Sequence, residues 1–236
     1  MENATYATLT RQSGLMREMQ AVANNVANAS TTGFRREGIV FSEHVAALEG
    51  AESLSMAKAG ARITDMAQAG LTATGAPFDL AIEGEGFFLV GTPQGERLTR
   101  AGAFLAGPDG FLVTAEGHPV LDAGGAPVPV PADAGPVTVG ADGTVSTPLG
   151  PIAQIGLVRP IDPNAMTRQA GTMFASPAGV EPAEGRIVQG HLEGSNVDPV
   201  LEIARMIEVQ RAYELGQGFL DREDGRARKM IETLGR

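Results

Sequence analysis

The chain contains no cysteine and no tryptophan, and aromatic residues make up only 5% of its 236 positions. The first absence excludes disulfides, thiolate metal sites and cysteine nucleophiles. The scarcity of rings leaves little stacking surface, which argues against single-stranded nucleic acid as a client. Positive charge is also short. With 18 Lys and Arg against 28 Asp and Glu the net charge is −10, so the clustered cations that neutralise phosphates or anionic lipid are missing. No apolar run approaches the roughly 18 residues of a membrane span. Glu2, Arg11, Arg17 and Glu18 interrupt the first thirty residues, so neither a cleavable signal peptide nor an anchor is expected.

Proline is absent from both ends: all 15 lie between Pro77 and Pro199, and Gly14 is the only glycine before Gly33. Proline breaks helix interiors and glycine weakens them, so long helices are permitted only at the ends, and the middle is expected to be turns and short strands. Residues 1–40 and 201–236 are close to charge-balanced, which puts the acidic excess in the middle.

In the first segment Leu9, Met16 and Ala23 recur every seven residues, with Met19 and Val26 in the second seam position and polar Gln12 interrupting it. That is a heptad pattern. Gly33, after Ser30, Thr31 and Thr32, is the expected stop, which gives a helix of about 28 residues, roughly 42 Å long. At the other end Asp198 as N-cap and Pro199 at the first helical position predict a second long helix carrying Val200, Ile203, Met206, Ile207, Val209, Tyr213 and Leu220. Gly216, Gly218 and Gly225 are expected to soften its last part. Neither stripe is buried by one helix alone, so the termini are expected to pair with each other or with neighbours. Asn24, Asn25 and Asn28 cost helix propensity; they are either simply exposed or hydrogen-bonded across a helix interface, fixing its register. The residues expected to form an assembly interface are therefore Leu9, Met16, Met19, Ala23, Asn24, Asn25, Val26 and Asn28 on the first helix, and Ile203, Met206, Ile207, Tyr213 and Leu220 on the second.

Between the ends, apolar runs at Phe87–Val90, Phe111–Thr114, Val137–Val139 and Ile155–Val158 alternate with turn chemistry, including Asp109-Gly110 and Asp142-Gly143. The expected fold class is α+β: long N- and C-terminal α-helices pairing as a coiled-coil layer, with a central, mostly antiparallel β domain. The expected domains are residues 1–32 and 199–236 (helical), 33–76 (an extended connector or arm) and 77–198 (β-rich).

Catalytic motifs are scarce. His44, His118 and His191 lie far apart with no partner at ligand spacing, so no metal is expected. Glu83 and Glu85 flank Gly84 and invite comparison with a glycosidase pair, but two residues apart on a strand they share a face, as solvated edge charges do. Gly84-Glu85-Gly86-Phe87-Phe88-Leu89 has Leu where a dinucleotide loop needs its third glycine, so no cofactor is expected. No Gly-x-Ser-x-Gly elbow is present.

The string Ala23-Asn24-Asn25-Val26-Ala27-Asn28-Ala29-Ser30-Thr31-Thr32-Gly33-Phe34 resembles the N-terminal signature of the bacterial flagellar rod and hook protein family. So do Thr74-Gly75-Ala76-Pro77-Phe78-Asp79-Leu80 through Phe88, Thr99-Arg100-Ala101-Gly102, Leu192-Glu193-Gly194-Ser195-Asn196-Val197-Asp198-Pro199, and Arg211-Ala212-Tyr213-Glu214. Ala76 and Ala101 stand where the family usually carries Asn, and Gly216 with Gly218 is unusual in its terminal helix. The resemblance implies a noncatalytic structural subunit of the flagellar basal-body rod, in its proximal part. It further implies export without cleavage through the flagellar type III apparatus, and helical assembly in the periplasm with copies of itself and other rod subunits. The alternatives are a distal-rod or hook-type axial subunit or, in another class, a soluble periplasmic hydrolase using carboxylates.

Overall fold

The structure, a computed structural model, describes residues 2–46, 54–131, 133, 135–169 and 171–234. Unit 1 gathers Met1–Ala29, Arg36–Asp65 and Val197–Arg236, and unit 2 gathers Ser30–Arg35 and Met66–Asn196.

Unit 1 holds both long helices. The first, α1 (Glu2–Ala27), has 26 residues. It ends six residues before the expected stop, because Asn28 closes it: the Asn28 backbone N–H donates to the Asn24 carbonyl at 3.1 Å, and its side-chain amide to the same oxygen at 2.9 Å. Gly33 has a different task, within unit 2. Its φ of +68° is left-handed, and a Cβ there would lie 2.2 Å from the backbone nitrogen of Ala101, so only glycine fits. After α1 come β1 (Glu37–Ala46) and β2 (Leu54–Thr64), an antiparallel ribbon with a register shift between Val40 and Phe41. Residues 47–53 of the expected arm lie outside the described residues.

The second helix, α2 (Pro199–Leu234), starts as expected: the Asp198 carboxylate accepts from the N–H groups of Val200 at 2.9 Å and Leu201 at 3.2 Å. It runs unbroken through Gly216, Gly218 and Gly225, where composition predicts a soft point. At Gly216 the reason lies in packing. A Cβ would sit 2.6 Å from Gln12 Nε2, and that amide donates to the Tyr213 carbonyl at 2.9 Å. The glycine leaves room for a side chain from α1.

Unit 2 is the β domain, and every strand pair among its described residues is antiparallel. It contains β3 (Leu71–Ala73), β4 (Leu80–Glu83), β5 (Phe87–Thr92) and β6 (Gly95–Thr99), followed by further strands of two to five residues. Strand β5 is the hub of the largest sheet, pairing with β6, with Val120–Leu121 and with Leu157–Pro160. Successive side chains on a strand point to opposite faces, and both faces of β5 are covered. Phe88 and Val90 join Leu80, Ile82 and Phe104 in one core cluster; Phe87 and Leu89 join Leu98, Leu121 and Phe174 in another. Burial on both sides is why this run is apolar without alternation. Edge-to-face ring pairs lock each cluster, Phe88 with Phe104 at 5.1 Å and Phe87 with Phe174 at 6.1 Å. The Asp142-Gly143 turn forms as expected, and the Thr144 hydroxyl and amide hold the Asp142 carboxyl below its ordinary pKa.

Phe88→Ala should therefore destabilise unit 2 by about 3–5 kcal/mol, the usual result of emptying a fully buried aromatic site. Leu105→Ala, at an exposed position, should stay within about 0.5 kcal/mol. Urea unfolding of the two variants measures the contrast.

Candidate assembly interface

The stripe that α1 buries is not the heptad seam read from Leu9, Met16 and Ala23. Leu15, Glu18, Ala21, Val22 and Asn25 are buried, along with Gln12. Leu15 and Val22 are seven apart, as are Glu18 and Asn25, so this second stripe also has heptad spacing. Three of its members, Gln12, Glu18 and Asn25, are polar, which hides it from a pattern of apolar residues. Each has a partner: Glu18 accepts from Arg205 Nε of α2 at 2.7 Å.

Asn25 is fully buried and ties three segments together. Its Oδ1 accepts from the Glu37 N–H at 2.9 Å, while its Nδ2 donates to the Glu37 carbonyl at 2.8 Å and to Glu202 Oε2 at 3.0 Å. The side-chain amide thus pairs with the first residue of β1 as a strand neighbour would, and reaches the first turn of α2 as well. Glu202 and Glu37 are themselves buried. Glu202 is also bound by Arg36, and Glu37 by Arg62 at 3.5 Å and by Asn24 at 3.4 Å. Two buried carboxylates face two partly exposed guanidiniums, so the cluster is charge-balanced. Of the three asparagines, Asn25 and Asn24 bond to other elements, whereas Asn28 bonds back to α1. Glu18, Glu37 and Glu202 were not legible as site residues, since charged side chains are read by default as solvated.

Of the expected seam residues five are exposed and five half-buried. Leu9 is 53% exposed, Ile203 51%, Ile207 45% and Met16 41%, and Ala23 is exposed too. Met19, Val26, Met206, Tyr213 and Leu220 are half-buried. Val200, Ile203 and Ile207 follow helical spacing along α2, an apolar line left in water by the single chain. Near the start of α1, Tyr6 and Leu9 line a groove of about 630 Å³ with Leu220, Ala227 and Met230.

Three segments of the chain match family models: residues 8–35 the flagella basal body rod protein, 81–147 the D1 domain of the flagellar hook proteins FlgE/F/G, and 188–233 the C-terminal part of the flagellar basal body rod FlgEFG proteins. A flagellar basal-body rod protein FlgF of Caulobacter vibrioides is 41% identical over 243 residues, covering 100% of this chain and 99% of the relative. The chain belongs to the flagellar basal-body rod protein family. FlgF of Mesorhizobium japonicum is 40% identical at the same coverage, and FlgG of Bacillus subtilis is 28% identical over 95% of this chain and 96% of its own. The first and last matched segments of this rod-family chain contain most of α1 and all but the last residue of α2.

The carboxylates that invite an enzymatic reading both face arginines. Glu83 is ion-paired with Arg186, and Glu85 is 84% exposed with Arg159 at 3.8 Å. His118 is half-buried, and His191 Nδ1 lies 3.0 Å from the Gln189 carbonyl; the side chain of His44 lies outside the described residues. Among the described residues no three His, Cys, Asp or Glu converge as a metal site, and no helix is long and apolar enough to cross a membrane.

Asn25→Ala should cost at least about 3 kcal/mol, since three buried partners lose hydrogen bonds at about 1–3 kcal/mol each. Asn25→Asp should cost more at neutral pH, because it places a carboxylate against the Glu37 carbonyl and the Glu202 carboxylate. Burial and like charge raise the pKa of the introduced carboxyl, so its excess cost over Asn25→Ala should shrink as pH falls and it becomes protonated. Urea unfolding at pH 7 and pH 5 reads both effects.

Proposed function

We propose that the protein is a noncatalytic structural subunit of the flagellar basal-body rod, in its proximal part, that assembles helically through its terminal helices. The observation carrying this reading is the apolar line on each helix that one chain leaves exposed, Leu9 and Met16 on α1 and Val200, Ile203 and Ile207 on α2. The two lines differ, so one copy offers unlike surfaces to its neighbours. Contact between unlike faces, with a rotation that does not close, produces an open helical tube. Seam residues of α1 and α2 from adjacent copies form a coiled-coil layer there, with copies of this chain and other rod subunits as partners. FlgF relatives across the full length support the rod assignment over a hydrolase.

The chain reaches the periplasm uncleaved through the flagellar type III apparatus. In the purified monomer the helix surfaces lack their assembly partners. Hydrogen exchange should therefore be faster along α1 and α2 than in β4 and β5, and equal protection would contradict the proposal.

Ile207→Asp should block incorporation into the rod while leaving the monomer folded, because the side chain is half in water before assembly and desolvated after it. An unpaired buried carboxylate costs several kcal/mol. Arg17→Ala, at an exposed position on α1, should incorporate normally, and recovery of each variant in isolated basal bodies is the measurement. The double substitution Glu83→Gln with Glu85→Gln should leave motility near normal; loss of motility with a stable fold would support the hydrolase.

A further inference from the structure

We propose that unit 2 contains a binding pocket for a carboxylate carried on an apolar frame, with Arg35 and Arg100 as its inner cationic wall. The cavity measures about 450 Å³; its lining includes these two arginines and Phe87, and also Glu85, Arg159 and Glu181. Its inner members are Arg35, Arg100 and Phe87, all almost wholly buried, while Met66 and Ile161 are exposed at the mouth.

The charge count is what calls for an anion. A single carboxylate, that of Glu193, fully buried, serves both guanidiniums: Oε1 lies 2.8 Å from Arg35 Nη2 and Oε2 lies 3.1 Å from Arg100 Nη1. Glu193 is shared further, since Oε1 also accepts from the Ala69 N–H at 2.9 Å. Arg100 gives its remaining bonds to the carbonyls of Gly84 at 2.6 Å and Ile82 at 3.3 Å. Arg35 is less well served. Its contact with Glu193 is an ion pair without hydrogen-bond alignment, and among the described residues its Nε, Nη1 and Nη2, with Arg100 Nε, have no hydrogen-bond partner. Two buried cations against one buried anion leave a positive excess in the inner wall, and a guanidinium does not give up its proton. Burial pushes the Arg100 guanidinium below its ordinary pKa and the neighbouring Arg35 charge adds to that shift, while Glu193 and, less strongly, Glu85 oppose it.

The charges at the mouth compensate the inner wall only in part. Arg159 draws Glu181 to 2.8 Å and Glu85 to 3.8 Å, and all three side chains are close to half exposed or more, so their field is screened by solvent. The ligand chemistry follows from the lining. A guanidinium fork matches the two oxygens of a carboxylate, the apolar walls need an apolar body to cover them, and the volume suits a small ligand or one side chain with its flanks. That chemistry comes either as a free acid or as an acidic residue on an apolar peptide segment.

The test is a two-dimensional NMR titration of the full-length chain with four probes. These are benzoate, its neutral analogue benzamide, a capped leucine–glutamate–leucine tripeptide and the glutamine version of that peptide. The Gly86 and Phe87 amide signals should shift saturably with the carboxylates, and the neutral analogues should bind at least tenfold more weakly. Tighter binding of benzoate identifies a free acid as the occupant, and tighter binding of the peptide a protein segment. Ile161→Trp, which fills the exposed mouth by bulk without touching the core, should weaken the preferred probe at least tenfold; Arg35→Gln should abolish its binding if that variant folds. Absence of any saturable shift, equal binding of the neutral analogues, or indifference to Ile161→Trp overturns the proposal.

Discussion

Unit 1 depends on one primary amide. Its segments are far apart in sequence, and Asn25 of α1 is where β1 and α2 meet it through hydrogen bonds to Glu37 and Glu202. The site asks for an acceptor and two donors within one short side chain, a set that asparagine supplies and that aspartate, leucine and alanine do not. Once that residue is fixed, the first residue of β1 and the first turn of α2 are placed relative to α1. Arg36 and Arg62 then gather on the carboxylates already held there.

Both units use the same device, a buried carboxylate that joins residues distant in sequence. Glu202 does it in unit 1 with Asn25 and Arg36, and Glu193 does it in unit 2 with Arg35, Arg100 and Ala69. Arg35 and Arg36 are neighbours in the chain yet serve different carboxylates in different units. Buried ion pairs add little net stability against apolar packing of the same size, but removing one partner strands a charge. Their effect here is to make alternative arrangements of these segments expensive.

The architecture of helical ends and β middle was legible because it rests on local rules. Proline confined to 77–199 permits long helices only outside that range, and the Asp198-Pro199 start is chemistry contained in two residues. The apolar run at β5 was legible for the same reason. The polar ties were not. Glu18, Glu37, Glu193 and Glu202 are buried by partners up to 187 positions away, and no window along the chain contains that information. The end of α1 was misplaced because Asn28 closes it locally, while Gly33 owes its identity to the backbone of Ala101. Gly216 looked like a defect until Gln12 was seen beside it.

Unit 1 is made from the first residues of the chain and the last, with nearly all of unit 2 lying between them. A chain that emerges N-terminus first can therefore finish its β domain once residue 196 is available, while α1 waits for α2 until the final forty residues have followed. Until then Asn25, Glu18 and Gln12 lack their α2 partners, and the helical unit cannot close. The order of residues along the chain thus acts as a timer: the surfaces carried by the helical unit are completed last, and a truncated chain never completes them.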